Sequence, residues 1–248
     1  MPSTAMYVEL HARSAFSFLE GASLPEALVA TGGNLNMPAM ALLDRDGVFG
    51  SPRFYMAAKK IGLKAHIGVE ITCQGFPPPQ QKVWGAGIPG PARNDNSFRL
   101  SLLVRSRLGY QNLCRLITKM KLRAKKGEGA ALPDELQEHA AGLICLTGGE
   151  EGPLAAALAN GGMAEARPSV ERLTEIFGRE NVAVELQRHF HRPQEARNRA
   201  SLEIARSLQL PASVDPAGIK ATLEKGVLKV TMPKKMADVK KIPVKAAA

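Results

Sequence analysis

The first 73 residues alternate between apolar, strand-like runs and segments that begin like helices, and this order limits the fold more than any other feature. The predicted elements are a strand ending at His11, a helix begun by residues 23–26, a strand at 39–44, a helix at 51–61 and a strand at 63–72. Strands joined through a helix pair in parallel by right-handed crossovers. The sequence therefore predicts an α/β fold whose first three strands are parallel.

Ionisable side chains stand at the ends of these predicted strands. His11 closes the first strand, Asp44 closes the second, and Glu70 lies near the end of the third. The carboxyl ends of parallel strands meet at one edge of a sheet, where α/β folds carry their chemistry. We therefore expect the three side chains to converge on one site.

Further motifs lie at residues 7–23, 41–50, 66–71, 98–103 with 109–113, and 184–189. In their order and spacing they resemble the polymerase-and-histidinol-phosphatase (PHP) domain that opens bacterial DNA polymerase III alpha subunits, and residues 11–23 are most similar to the error-prone branch. The resemblance covers roughly residues 6–211. It implies a distorted (β/α)7-type barrel, truncated before its last strand, whose strand tips hold several metal ions in active relatives.

The resemblance also implies five candidate metal ligands. They are His11, Glu20, Asp44, Glu70 and His189. Two or three close divalent ions suit phosphate chemistry because they stabilise both the attacking and the leaving oxygen. Divalent metals such as zinc or manganese are therefore the cofactors that an active site of this kind would need.

Three arginines, Arg13, Arg45 and Arg99, stand where the family commonly has histidines. A guanidinium has five donors and no acceptor and keeps its proton in proteins, so it cannot ligate a metal. Residues 212–216 also lack the Asp-x-His pattern of the family's last ligands. We therefore expect no cofactor and a metal-free pocket in which arginines and carboxylates pair, since each partner offsets the burial cost of the other.

The end of the chain has a different character. Residues 213–245 resemble the last strands of the α-crystallin domain of small heat-shock proteins, with a predicted hairpin between 219 and 232. Ile242 and Val244 match that family's C-terminal anchor, which docks in a groove of a neighbouring subunit. The sequence thus predicts a PHP-like domain at 1–211 and a small heat-shock-like tail at 212–248.

Charge and loops give weaker indications. The net charge is +10, but half of it lies in residues 212–248, so the charge indicates nucleic acid only weakly. Residues 74–97 are rich in proline and glycine and are predicted to form a flexible insertion.

A basic run ends the predicted helix 108–123, and we interpret it as a solvated helix end; the alternative is a nucleic-acid contact. Its members are Lys119, Lys121, Arg123, Lys125 and Lys126.

Cysteine content and hydropathy restrict the class of protein. Cys73, Cys114 and Cys145 are widely spaced and odd in number, which disfavours a disulfide scaffold and indicates a reducing cytoplasm. No segment has the roughly 18 apolar residues that a membrane span needs, so no membrane partner is expected.

Three functions follow as hypotheses. The first is a structural or interaction module without polymerase activity, in the context of DNA replication and damage-tolerant repair, with DNA or polymerase-associated proteins as partners. The second is a metal-dependent phosphoesterase or 3′–5′ exonuclease that uses the five candidate ligands. The third is a chaperone-associated protein that binds small heat-shock oligomers through its tail.

Overall fold

The computed structural model describes residues 7–75, 97–187 and 192–207, and the backbone of residues 220–224 and 227–231. The main strands are β1 (Glu9–Ala12), β2 (Ala39–Arg45), β3 (Lys64–Cys73), β4 (Phe98–Val104), β5 (Leu143–Leu146) and β6 (Val182–Ala183). The helices are α1 (Pro25–Asn34), α2 (Ser51–Ile61), α3 (Arg107–Arg123), α4 (Pro133–His139), α5 (Pro153–Phe177) and α6 (Arg192–Ser207).

One six-stranded mixed sheet organises these elements, in the order β1-β2-β3-β4-β5-β6. The pairs β1–β2, β2–β3 and β5–β6 are parallel, whereas β4 runs antiparallel to both of its neighbours. The predicted parallel start is confirmed. His11 at the end of β1 contacts Glu185 just after β6, and this contact between the two edges shows that the sheet is curved. The six strands therefore form a half-barrel of the α/β class.

Side chains of β2 show how the sheet is covered on two faces. Met40 and Leu42 pack with Phe54 of α2 in one apolar cluster, while Leu43 points the other way, toward Leu103 of β4. This alternation is the period-two pattern of a strand that is buried on both faces. A third and larger cluster packs β3, β4 and β5 against α3, α4 and α5.

Local signals explain where several helices begin and end. Pro52 lies in the first turn of α2, and Gly62 closes that helix in the left-handed conformation at φ 73°, which glycine adopts without steric cost. Ser106 caps α3 by accepting a hydrogen bond from the Gly109 amide. The apolar stripe of α3 then faces the core, as predicted from its spacing.

The segment α5 consists of two helices, because Gly162 has the non-helical angles φ 61° and ψ −145° and interrupts it. This agrees with the two helices that the sequence patterns at 153–160 and 169–177 indicate, except that the second helix begins earlier and includes Pro168. The strand predicted at 182–187 is paired only at Val182–Ala183, and residues 184–187 continue without ladder bonds. Those unpaired residues carry side chains into the site described below.

The chain divides into two compact units, Met1–Ile204 and Ala205–Ala248. The division falls before the boundary predicted at residue 211. In the second unit, β7 (Lys220–Glu224) and β8 (Val227–Thr231) pair antiparallel, as the predicted hairpin requires. The predicted insertion at 74–97 lies outside the described residues except at its ends. Among the helices that the structure describes, none is long and apolar enough to cross a membrane.

Candidate functional site

His11 lies between two carboxylates from distant parts of the sheet. Its Nδ1 is 2.5 Å from Glu185 Oε1 and 3.3 Å from the Gln187 side-chain nitrogen, and its Nε2 is 3.5 Å from Glu70 Oε1. Burial disfavours the charged ring, but the hydrogen bonds to Glu185 and Glu70 outweigh burial and raise the pKa of His11 to about 9. At neutral pH, His11 is therefore an imidazolium that joins β1, β3 and the segment after β6.

Glu70 is an almost fully buried carboxylate that is held by cations. Arg13 Nη2 donates to its Oε1 at 2.6 Å, and Arg99 Nη1 lies 3.5 Å from its Oε2. Burial alone would raise the pKa of Glu70, but the hydrogen bond from His11 and the charge of Arg13 lower it to about 2. Glu70 is consequently ionised and charge-compensated throughout the neutral range.

Glu20 contacts all three of the arginines Arg13, Arg45 and Arg99. Arg99 binds it through both terminal nitrogens, at 2.6 Å each, and Arg45 donates at 2.9 Å. Arg13 lies 3.6 Å away. Although burial opposes ionisation, these arginines lower the pKa of Glu20. The ion pairs predicted between arginines and carboxylates are therefore present.

Arg99 is the most buried of the three arginines, at 4% exposure. Besides Glu20 it contacts Glu151 Oε2 at 2.9 Å. Burial opposes its charge, yet the hydrogen bond to Glu20 and the nearby carboxylates raise the pKa of Arg99. We call the set of ion-paired side chains at the strand tips the arginine–carboxylate cluster. It consists of His11, Arg13, Glu20, Arg45, Glu70, Arg99, Glu151 and Glu185.

Asp44 has a separate structural task. Its carboxylate accepts hydrogen bonds from the Ser14 amide and from the hydroxyls of Ser14 and Ser17, all between 2.8 and 2.9 Å. A Cβ on Gly50 would lie 2.4 Å from Asp44 Oδ2, so only glycine fits beside this carboxylate. Asp44 thus anchors the loop after β1 to the tip of β2.

Of the five predicted ligands, the structure brings His11, Glu20 and Glu70 together, places Asp44 among serines, and does not describe His189. Glu151, Glu185 and Gln187 were not among the predicted site residues. Glu185 and Gln187 lie inside the stretch 184–189 that carried the resemblance, which was the available signal. Glu151 lies outside all of these stretches, and no local pattern marks it as a site residue.

The side chains present do not fit a multi-metal centre. Arg13 occupies the face of Glu70 that an ion would need, Arg99 occupies both oxygens of Glu20, and His11 is in direct contact with Glu185. Within the described ranges, no group of three histidine, cysteine, aspartate or glutamate side chains is arranged to hold a metal ion. The cluster is organised around guanidinium groups.

Comparison with known families agrees with this architecture. A sequence model of the family described as "PHP domain" matches residues 9–189. The chain therefore belongs to the PHP domain family. A second model, of the Hsp20/alpha crystallin family, matches residues 176–245, a longer range than the predicted tail.

Two curated relatives of this chain are error-prone DNA polymerases. The chain is 35% identical over 205 residues to an error-prone DNA polymerase of Mycolicibacterium paratuberculosis, and the match covers 82% of this chain and 18% of the relative. An error-prone DNA polymerase of Anaeromyxobacter sp. is 36% identical over 217 residues, which cover 86% of this chain and 17% of the relative. The chain thus spans less than a fifth of the length of these curated relatives.

A solved structure supports the fold. It is a protein of Bifidobacterium adolescentis described as a metal-dependent phosphoesterase, with a TM-score of 0.50 and 16% identity. The similarity covers 82% of this chain and 84% of that protein. At this identity, it shows a shared fold and nothing about metal binding in this chain.

Proposed function

We propose that this PHP domain works without a bound metal, as a structural or interaction module in DNA replication and damage-tolerant repair. The observation that carries the proposal is the pairing of Glu20 with Arg99 and of Glu70 with Arg13. Both carboxylates stand at positions where the family resemblance implies metal ligands. Here their charge is already compensated by groups that cannot lose a proton.

Electrostatics explains why a metal would not displace these arginines. Two unit charges 4 Å apart interact by about 4 kcal/mol at an effective dielectric constant of 20, and a divalent ion doubles that repulsion. A metal ion bound to Glu20 would therefore be repelled by Arg99, Arg13 and Arg45. It would also occupy the carboxylate with which these arginines form ion pairs. The ion pairs instead join β3 and β4 to each other and to the loop after β1, which favours a scaffold role.

Elemental analysis of the purified full chain tests the proposal. We expect no stoichiometric zinc, manganese or iron, and no hydrolysis of p-nitrophenyl phosphate when manganese is supplied. The double variant Arg13→His with Arg99→His is the matched comparison, since it restores potential ligands at two positions. Two or more tightly bound ions per wild-type chain would contradict the proposal.

The metal-dependent phosphoesterase or exonuclease is the second candidate, and one observation favours it. His11 Nε2, Glu70 Oε2 and Glu185 Oε2 are buried and make no hydrogen bond of good geometry among the residues described, although His11 Nε2 and Glu70 Oε2 each lie 3.5 Å from an ion-pair partner. Such atoms could become ligands if His11 lost its proton and the ring moved off Glu185. Manganese-dependent turnover by the wild-type chain would decide for this candidate.

Polymerase activity is not part of the proposal, because the names of the relatives describe proteins of which this chain covers 18% or less. The expected partners are DNA or polymerase-associated proteins. For the tail we propose, as the third candidate, binding to small heat-shock oligomers through Ile242 and Val244. The family match at residues 176–245 supports this candidate, although both anchor residues lie outside the described part of the chain.

A further inference from the structure

The basic run at the end of α3 separates into paired and unpaired cations. Lys119 Nζ is 2.5 Å from Glu138 Oε2, and Arg123 pairs with Glu135. Lys121, Lys125 and Lys126 are exposed and have no carboxylate partner within the residues described. Two of the five cations therefore pair with carboxylates of α4, which the expectation of a solvated helix end did not include. The other three remain available to an external anion.

An exposed aromatic ring lies against this unpaired set. Phe49, in the turn after β2, is 56% exposed, and Lys121 Nζ lies 4.6 Å from the centroid of its ring. A Cβ on Gly47 would come within 2.2 Å of the same ring, so the ring rests on bare backbone there. Leu122, the next residue in the chain, is 83% exposed. Phe49 and Lys121 therefore share one exposed surface, and the unpaired Lys125 and Lys126 follow shortly after Lys121 in the chain.

The turn that carries Phe49 is held in place from several sides. Asp46 accepts hydrogen bonds from the Thr72 amide at 2.7 Å and from its hydroxyl at 2.9 Å. Val48 packs on the large apolar cluster, and Gly50 fits closely against Asp44. Phe49 is therefore presented in a fixed position, which lowers the ordering cost of binding anything on its ring.

An exposed aromatic ring beside unpaired cations suits one class of ligand. A single-stranded nucleic acid offers bases that stack on an aromatic ring and phosphates that attract lysines, and neither interaction needs a particular sequence. A duplex keeps its bases stacked internally and would use the lysines alone. We propose that single-stranded nucleic acid binds the patch formed by Phe49, Lys121, Leu122, Lys125 and Lys126, with a base on Phe49 and Lys121 moved from the ring to a phosphate.

This inference extends the proposed interaction role by naming a surface and a ligand, and it does not depend on the state of the arginine–carboxylate cluster. Elemental analysis of the same preparation distinguishes failure of the metal-free proposal from failure of this inference. Bound metal would overturn the metal-free proposal and leave the patch untouched. Loss of the expected binding pattern would overturn only the patch.

The test is fluorescence anisotropy of a labelled oligothymidylate with the full chain at several salt concentrations. Lys125→Ala with Lys126→Ala should weaken binding about tenfold and lower the slope of log affinity against log salt by about 1.4, because each single-strand phosphate contact contributes about 0.7. Phe49→Ala should weaken binding about tenfold and leave the slope unchanged, since it removes stacking and no charge. Circular dichroism checks that each variant is folded.

The matched control is Lys59→Ala with Lys60→Ala, which removes the same charge from exposed positions of α2. The tail lysines are present in every variant and contribute equally. Equal weakening by the two lysine pairs, or no effect of Phe49→Ala, would overturn the inference. Tighter binding of a duplex, or equal displacement by polyglutamate, would overturn it as well.

Discussion

Arg99 keeps its positive charge although it is buried. The carboxylates around it therefore depend on Arg99 for charge compensation. Arg99 is nearly fully buried and binds Glu20 through two bonds, with Glu151 at 2.9 Å. Removal of one partner of a buried ion pair leaves the other charge uncompensated. The stability of the strand tips therefore depends on this side chain more than on the other two arginines.

Replacement of Arg99 by methionine should consequently destabilise the domain by about 3 kcal/mol, measured as the free energy of unfolding in urea. Arg45→Met is the matched control. Arg45 has a side chain that is 43% exposed and shares Glu20 with Arg99, so its loss should cost less than about 1 kcal/mol. Equal effects of the two substitutions would contradict the importance assigned to burial.

His11 makes stability depend on pH, and the direction follows from its raised pKa. The folded pKa is about 9 against an ordinary value of 6.5, because Glu185 and Glu70 overcome the effect of burial. The stabilisation from the imidazolium is fully present below pH 6.5 and is lost as the pH rises through about 9. At most it amounts to about 3 kcal/mol, since one pKa unit corresponds to about 1.36 kcal/mol.

The unfolding free energy of the wild-type chain should accordingly fall between pH 6.5 and about 9, and His11→Gln should remove most of that slope. His66→Gln is the control, because His66 has a lowered pKa, caused by burial and Lys64, and lies outside the cluster. Glu70 acts at the acid end, where its stabilisation is lost as the pH falls from 4.5 toward about 2. An unchanged slope in His11→Gln would contradict the assignment.

At the scale of elements, the loop between β1 and α1 connects the cluster to the surface. Asp44 fixes its first half through Ser14 and Ser17, and the arginines fix Glu20 in its second half. Between these anchors Leu19 has φ 63° and is 89% exposed. A left-handed backbone costs a side-chain-bearing residue about 1–2 kcal/mol. The anchors hold this conformation against that cost.

Leu19→Gly should therefore stabilise the domain by about 0.5–1 kcal/mol, since glycine relieves the left-handed strain and the exposed side chain contributes little packing. Leu19→Ala keeps the Cβ and should leave the unfolding free energy nearly unchanged. Thermal and urea unfolding of both variants measure the difference. If Leu19→Gly destabilised the domain, the left-handed conformation at Leu19 would be preferred by the loop itself. It would then not be a strain that the anchors impose.

Sequence patterns predicted the elements where the signal is local and missed contacts where it is not. The apolar runs of β2 and β3 and the stripe of α3 specify their own burial, so their bounds were predicted within one or two residues. Glu185 reaches His11 from the segment after β6, and Glu151 reaches Arg99 from the residues just before α5. Such long-range placement depends on the curvature of the whole sheet and produces no periodic pattern in the sequence.

At the scale of the whole molecule, two family matches meet in one chain, and the residues between 176 and 189 belong to both. The first unit carries the sheet and the arginine–carboxylate cluster, and the second carries the β7–β8 hairpin. A hairpin of two strands is marginally stable alone. Ile242 and Val244 follow in the sequence, outside the described residues, and their spacing of two would direct both side chains to the same side if that segment bound as an extended strand.

The proposed anchor should give weak capture by a small heat-shock oligomer immobilised on beads, and Ile242→Ala with Val244→Ala should abolish it. Burial of each side chain is worth about 1.5–3 kcal/mol, whereas fixing each backbone residue costs about 1–2 kcal/mol. One copy therefore binds weakly, and the many grooves of an oligomer are needed for detection. The control is Lys240→Ala with Lys241→Ala, which removes charge and keeps both apolar side chains. If capture survived loss of the anchor and disappeared with the lysines, the tail would bind by charge, and its resemblance to a small heat-shock anchor would have no functional meaning.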